Sequence, residues 1–195
     1  MLLIYVAIGI IAAVITGWFV YQNRMEYWET QARSAFRVAL GKELQKRNEV
    51  DVYFSSSGNI RLPDNSIDIK KEPIKVRIES EYGVKDFFIP YEKHSHNIER
   101  SSDMRASYSY VLYKSPLQAD SLNRIWYRLL EEMNYFGKTV VRISVADWDE
   151  RETYTFSDDS LYMLKPDSLM SCYLGYRCEI GVTGYLYYSW LNVFT

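Results

Sequence analysis

The chain begins with a continuous apolar run. Residues 2–20 read LLIYVAIGIIAAVITGWFV and contain no charged side chain. As a helix rising about 1.5 Å per residue, this run is about 28 Å long, close to the roughly 30 Å hydrocarbon core of a bilayer. Trp18 and Tyr21 fall where an interfacial aromatic belt is expected, and Arg24 is the first charged residue. The pattern predicts a transmembrane anchor over residues 1–21, with residues 2–20 in the lipid bilayer.

Two other interpretations of this run fit less well. A signal peptide cleaved after Gly17 would need a basic segment before the apolar run, and only Met1 precedes Leu2. A core helix of a small soluble domain keeps one polar face, whereas this run is apolar on every face. We therefore favour an anchor that is retained.

Beyond the anchor, apolar residues recur at spacings of three and four, which predicts an amphipathic helix over residues 22–48. No proline separates this helix from the apolar run, so the two are expected to form one rod. Two interpretations remain open: a signal-carrying or dimerising stalk, and a helix that packs on its own sheet. The apolar stripe consists of Trp28, Ala32, Ala35, Phe36, Ala39, Leu40 and Leu44.

The remaining residues, 49–195, are expected to form an α+β domain. Alternating apolar positions predict a β-hairpin over residues 74–89, with a turn at Tyr82 and Gly83. The segment ASYSYVLYK, residues 106–114, is expected to be extended, with Tyr108, Tyr110 and Leu112 on one side. Other strands are predicted within residues 50–54, 138–149, 153–157 and 168–190.

One further helix is predicted over residues 120–136. Its stripe at helical spacing is Leu122, Ile125, Trp126, Leu129, Leu130 and Met133. Asp120 or Ser121 is expected to cap its start, and Gly137 to end it. The stripe is wide enough to lie on a sheet, so we interpret it as core.

The order of these elements predicts one five-stranded antiparallel sheet with helices on one face. This is the order of PAS-like domains, in which helix 120–136 would cover the sheet. Small ligands would then lie between the sheet and its cover.

Charge and cysteine content narrow the function classes. The net charge is −2, from 23 basic and 25 acidic side chains, which offers no basic face for nucleic acid. Cys172 and Cys178 flank a short turn, CYLGYRC. They are either a disulfide formed in an oxidising compartment or two separate core thiols.

Three stretches carry a family resemblance: PLQADSLNRIWYRLL at residues 116–130, TVVRISVAD at 139–147 and GYRCEIGVTGYLYYSW at 175–190. Together they resemble the sensor region of bacterial two-span histidine kinases and related membrane-bound regulators. The resemblance implies a domain outside the cytoplasmic membrane, between two spans and ahead of an output module. Here YLYYSWLNVFT, residues 185–195, is too short for a second span and no output module is present, so we expect either a truncated relative of such sensors or action through a partner.

The expected location is the inner membrane, single-pass, with the folded domain in the periplasm. The charge distribution argues the other way. No Lys or Arg precedes the apolar run, whereas Arg24, Arg33 and Arg37 follow it, so the positive-inside rule places the domain in the cytoplasm.

No enzyme signature is found. The GKT sequence at residues 137–139 lacks the glycine that a phosphate loop requires five positions earlier, where Glu132 stands. His94 and His96 share one side of an extended segment but have no identifiable third metal ligand. We therefore predict no catalytic residue, no metal site and no cofactor.

The residues chosen as candidate ligand contacts are His96, Arg105 and Arg142, because basic groups beside a cleft hold carboxylates or phosphates. The alternative for Arg142 is that it faces water on its strand, opposite Val141 and Ile143.

The predicted function is a membrane-anchored, non-catalytic sensor-like domain. It would signal through a membrane protein partner or a homodimer in response to an unidentified small molecule. The alternative is a pilin-like structural or assembly protein, which also joins an apolar helix to an amphipathic one and a sheet. In that fold a long helix packs along the sheet and helix 120–136 is peripheral, whereas in the sensor fold helix 120–136 covers the sheet.

Overall fold

The computed structural model of the chain describes residues 2–48, 74–80, 83–89, 97–135, 137–146, 152–158, 160 and 164–188. The predicted strand at 50–54 and the whole of its polar surroundings lie outside these residues. In chain order the elements are α1 (Leu2–Asn48), β1 (Ile74–Ser80), β2 (Gly83–Ile89), α2 (Ser102–Lys114), α3 (Ala119–Glu132), β3 (Lys138–Ala146), β4 (Glu152–Phe156), β5 (Ser168–Leu174) and β6 (Ile180–Tyr187).

The predicted α+β class is confirmed, but the strands form two sheets instead of one. β3, β4, β5 and β6 make a four-stranded antiparallel sheet in the order β4-β3-β6-β5. The hairpin is present where the alternation predicts it, with Ile74 opposite Ile89, but β1 and β2 pair only with each other. The prediction of a single five-stranded sheet was therefore wrong, since alternation fixes a strand but not its neighbours.

α1 is one uninterrupted helix, as the absence of proline predicts. From Ile4 to Val20 every side chain is exposed, and the helix is long and apolar enough in this part to cross a membrane. The stripe from Ala32 to Leu44 is instead buried in the domain core. The second half of α1 thus packs on its own sheet, which is one of the two arrangements left open by the sequence.

The layer between the helices and the sheet is filled. Phe36 of α1 meets Trp126 of α3 edge-on, with ring centroids 4.9 Å apart, and both side chains are fully buried. Gly184 of β6 lies directly beneath them. A Cβ at this position would lie 2.9 Å from Phe36 and 3.0 Å from Trp126, so only glycine admits both rings. Trp126 anchors the contact further by donating from Nε1 to the carbonyl of Ala32 at 3.2 Å.

α3 covers the sheet as predicted, but its ends differ from the expected ones. Its N-cap is Gln118 without a side-chain cap, where Asp120 or Ser121 was expected. It ends at Glu132, before Gly137, because Asn134 adopts the left-handed conformation with φ 58°. The amides of Asn134 and Tyr135 donate to the carbonyls of Glu131 and Leu130, both at 2.9 Å, which is a Schellman motif with asparagine at its left-handed position.

The segment expected to be extended, residues 106–114, is part of helix α2, so this prediction was wrong. Ser101 caps the helix by accepting the amide of Met104. Ala106, Ser109 and Tyr110 are buried at helical spacing. Tyrosine and serine alternate in this segment, which resembles the pattern of a strand. The residues that become buried are spaced as on one face of a helix, and the segment is helical.

Candidate functional site

Of the three predicted ligand residues, the structure describes Arg105 and Arg142, which lie on different elements, α2 and β3. His96 lies outside the described residues. Arg105 belongs to α2 and donates from Nε to the carbonyl of Glu99 at 2.6 Å. The carboxylate of Glu99 in turn accepts the amides of Arg100 at 2.8 Å and Ser101 at 3.1 Å. Arg105 therefore fastens the segment that leads into α2, which is a structural role.

Arg142 lies on the face of the four-stranded sheet opposite α1 and α3, which we call the outer face. In the register of the sheet Arg142 stands opposite Thr183 of β6, and Thr183 stands opposite Ser171 of β5. The three side chains form a polar line across the middle of the sheet, which we call the Arg142 row. Val141 and Ile143 point to the buried inner face, as alternation on β3 predicts.

The Arg142 guanidinium is held mainly by aromatic rings. Its central carbon lies 5.4 Å from the ring centre of Tyr154 and 5.7 Å from that of Tyr185, and both contacts are cation–π interactions. Its hydrogen bond within the described residues runs from Nη2 to Thr183 Oγ1, at a long 3.5 Å. Nε is buried and donates to no described group. Arg142 is thus half-buried, which differs from the alternative of an arginine that simply faces water.

Beside the Arg142 row the outer face is closely packed. Gly181 of β6 has no side chain there, and a Cβ at this position would meet Ser144 Oγ at 2.5 Å and Tyr173 at 3.5 Å. Ser171 and Thr183 share a hydrogen bond of 3.3 Å between their hydroxyls. This part of the outer face therefore combines hydroxyl groups, one guanidinium and aromatic rings.

A second polar cluster lies inside the molecule, at the C-terminal end of α1. Glu43 is 1% exposed and pairs with Arg47, whose Nη1 donates to Glu43 Oε1 at 2.8 Å. Arg47 also donates to the carbonyls of Ser115 at 3.1 Å and Pro116 at 2.9 Å. Ser121 of α3 donates to Glu43 Oε2 at 3.0 Å. This cluster, the α1 joint, fastens α1 to the junction of α2 and α3.

A third cluster surrounds the turn between β5 and β6. The carboxylate of Glu179 accepts the hydroxyl of Ser109 and, at 2.9 Å, the amide of Arg177. Burial raises the pKa of Glu179, against the opposing effect of these hydrogen bonds. Gly175, with φ 89°, leaves room for the carboxylate. The cluster joins α2 to the sheet.

Cys172 and Cys178 are both buried and are not joined by a disulfide, which corresponds to two separate core thiols. Burial raises the pKa of the Cys172 thiol, although Arg37 lowers it. The thiol therefore stays protonated near neutral pH. Within the described residues no group of three or more His, Cys, Asp or Glu side chains is arranged to hold a metal ion.

The aromatic residues at the base of the domain connect it to the exposed half of α1. Trp28 and Tyr188 flank Tyr135, at 6.0 and 6.5 Å between ring centroids. The Tyr188 hydroxyl donates to Glu29 of α1 at 3.3 Å. Burial, together with the charge of Glu29, raises the pKa of Tyr188 above its ordinary value. The end of β6 is thereby held next to the part of α1 that follows the apolar run.

The sequence reasoning missed the α1 joint and the environment of Arg142. Glu43 and Arg47 are four residues apart, the spacing of a helical ion pair, and this was the available signal. The neighbours of Arg142 come from other strands, so no local signal identifies them.

Comparison with known proteins finds no matching family model, no matching curated protein and no matching solved structure. The protein can therefore be classified only by its own sequence and fold. It is an α+β protein, and its described residues include one helix near the N-terminus that is long and apolar enough to span a membrane, which fits a single-pass membrane protein.

Proposed function

We propose that this protein is a membrane-anchored, non-catalytic sensor-like domain that transmits a signal through α1 to a partner in the membrane. The observation that supports it best is the continuity of α1. The same helix carries an exposed apolar half and a half that lies in the domain core. A displacement within the core would therefore move the segment in the lipid.

The α1 joint supports this proposal. Because Glu43 and Arg47 bind α3 through Ser121 and the α2–α3 junction through backbone carbonyls, α1 and α3 move together. α3 lies on the sheet, with Trp126 fully buried. A change in the sheet thus has a direct mechanical route to α1.

The proposal further holds that the fold is PAS-like and that the domain lies in the periplasm, as in the histidine kinase sensors that the sequence resembles. The sheet with helices on one face agrees with the first point. The rings of Trp18 and Tyr21, whose centroids are 6.2 Å apart, lie near the end of the apolar run, which agrees with a membrane interface just below the domain.

Reporter fusions test the anchor and its orientation together. We expect alkaline phosphatase fused after Thr195 to be active in intact cells and to sediment with membranes. A green fluorescent protein fusion at the same site should stay dark if exported in unfolded form. Fluorescent fusions and inactive phosphatase would contradict the periplasmic location. Recovery of an N-terminally intact chain from the soluble fraction would contradict the anchor.

A pilin-like structural protein remains the alternative function, because a long helix with a protruding apolar half packs along an antiparallel sheet here. α3 argues against it, since Leu122, Trp126 and Leu130 are fully buried and the helix is not peripheral. Shearing of intact cells separates the two functions. The pilin-like function predicts the chain in sheared surface filaments, and the sensor-like function predicts it only in the membrane.

A further inference from the structure

The outer face carries an arginine whose hydrogen-bonding capacity is largely unused. We propose that the Arg142 row binds a small organic molecule through a single carboxylate group. This proposal rests on the proposed function, for which the carboxylate compound would be the sensed molecule.

The N–H groups of Arg142 that have no described hydrogen-bond partner support the binding of a ligand. A guanidinium has five N–H donors in a planar fork, and cation–π contacts use its charge but none of these donors. Within the described residues Arg142 makes one hydrogen bond, which is 3.5 Å long. Its Nε–H is buried without a described partner, a situation that costs about 1–3 kcal/mol when it is not relieved.

The single positive charge of the Arg142 row favours an anion with one negative charge over an anion with two. Among the described residues no carboxylate forms an ion pair with Arg142. One guanidinium matches one negative charge, and its fork matches the two oxygens of a carboxylate. A phosphate dianion would bring a second charge for which the row holds no second cation. The hydroxyls of Thr183 and Ser171 extend the same line and can donate to the bound group.

The surroundings of the row suit an organic body attached to the carboxylate. Tyr185 is 5% exposed and Tyr154 is 50% exposed, so the guanidinium lies between a buried ring and an open one. Ser171 is exposed at the other end of the row. A flat or short apolar group can therefore lie against the open ring of Tyr154 while the carboxylate reaches Arg142.

The test uses the full chain in lipid nanodiscs and measures binding of benzoate by isothermal titration and by amide shifts in NMR spectra. Benzamide is the neutral control ligand, and inorganic phosphate is the competing anion. Arg142→Gln removes the charge from the row. Arg128→Gln is the matched control variant, because it removes an exposed arginine from α3, away from the outer face.

We expect benzoate to bind and to shift the amides of Ser171 and Thr183, and benzamide to bind at least about tenfold more weakly. Arg142→Gln should weaken benzoate binding by about tenfold or more, the size expected when a charge-assisted hydrogen bond is lost. Arg128→Gln should bind like the unmodified chain. The amide shifts need no variant, so they remain decisive if Arg142→Gln fails to fold.

Equal binding of benzamide, unchanged binding by Arg142→Gln, amide shifts confined to other parts of the chain, or no binding of benzoate at all would each overturn the proposal. Binding of phosphate in place of benzoate would overturn the assignment to a carboxylate. None of these outcomes tests the membrane anchor, and the reporter fusions do not test ligand binding by the Arg142 row. Failure of one proposal is therefore distinguishable from failure of the other.

Discussion

The two halves of α1 differ both in apolar content and in surroundings. Ile11 and Val14 in the first half are 59% and 66% exposed, whereas Phe36 and Leu40 in the second half are fully buried. In the first half apolar residues occupy every face of the helix. In the second half they form one stripe, and polar residues occupy the other side. One helix can thus meet two environments, and the distribution of its apolar residues determines which half faces which.

The largest expected effect separates the two halves by stability. Phe36→Ala should lower the free energy of unfolding by about 3–5 kcal/mol, since a fully buried ring is removed from its contact with Trp126. Ile11→Ala should leave it unchanged, because Ile11 has no partner in the domain core. Urea unfolding of the full chain in detergent measures both. Equal destabilisation by the two changes would break the distinction.

The α1 joint is expected to have a comparable or slightly smaller effect. Glu43→Gln should destabilise the protein by about 3–5 kcal/mol, because it leaves the buried Arg47 without its counter-charge. Adding Arg47→Met should restore part of this loss. A double-mutant cycle measures the coupling, and strictly additive effects would show that the pair is not coupled.

Two glycines, one beneath the core rings and one on the exposed side of α1, extend the comparison with smaller expected changes in stability. Gly184→Ala should cost about 1–3 kcal/mol, because its Cβ would press on Phe36 and Trp126. Gly41→Ala lies on the exposed side of α1, where a Cβ meets nothing within 4 Å, and should stabilise by about 0.5–1 kcal/mol. Thermal unfolding distinguishes the two signs. A tolerated Gly184→Ala would mean that the interlayer space is not filled.

The smallest expected effect concerns the contact between the end of β6 and the part of α1 that follows the apolar run. Tyr188→Phe removes the hydrogen bond to Glu29 and should cost about 0.5–1.5 kcal/mol at neutral pH. The pKa of Tyr188 is raised above its ordinary 10.0, so its contribution to stability is complete below that value and is lost as pH rises above it. Unfolding measured from pH 8 to 11 should therefore show a steeper loss in the unmodified chain than in Tyr188→Phe. Parallel profiles would contradict the contact.

Local patterns of apolar residues predicted several of the helices and strands. The uncharged run up to Val20, the stripe from Ala32 to Leu44 and the stripe around Trp126 each predicted an element that the structure contains. α2 was missed because tyrosine and valine favour strands locally, while burial against the sheet selects a helix. The end of α3 was misplaced because Asn134 takes the left-handed conformation before Gly137 is reached.

The candidate site was less accessible to sequence reasoning. Arg142 was identified as a basic residue on a strand, but its partners Tyr154, Thr183 and Tyr185 come from β4 and β6. Cross-strand neighbours depend on strand order and register, which alternation alone does not specify. The same reason explains why the hairpin was assigned to the wrong sheet.

The most direct test of the central claim is a distance between the two halves of α1. Spin labels on Val14→Cys and Val38→Cys, both exposed positions, can be measured by pulsed EPR in lipid nanodiscs, with the unmodified chain and its two buried thiols as the labelling control. An uninterrupted helix places the two backbones about 36 Å apart, at about 1.5 Å per residue, with one narrow distribution. A shorter or broad distribution would show that a hinge separates the lipid from the core, and α1 would then not transmit movement between them.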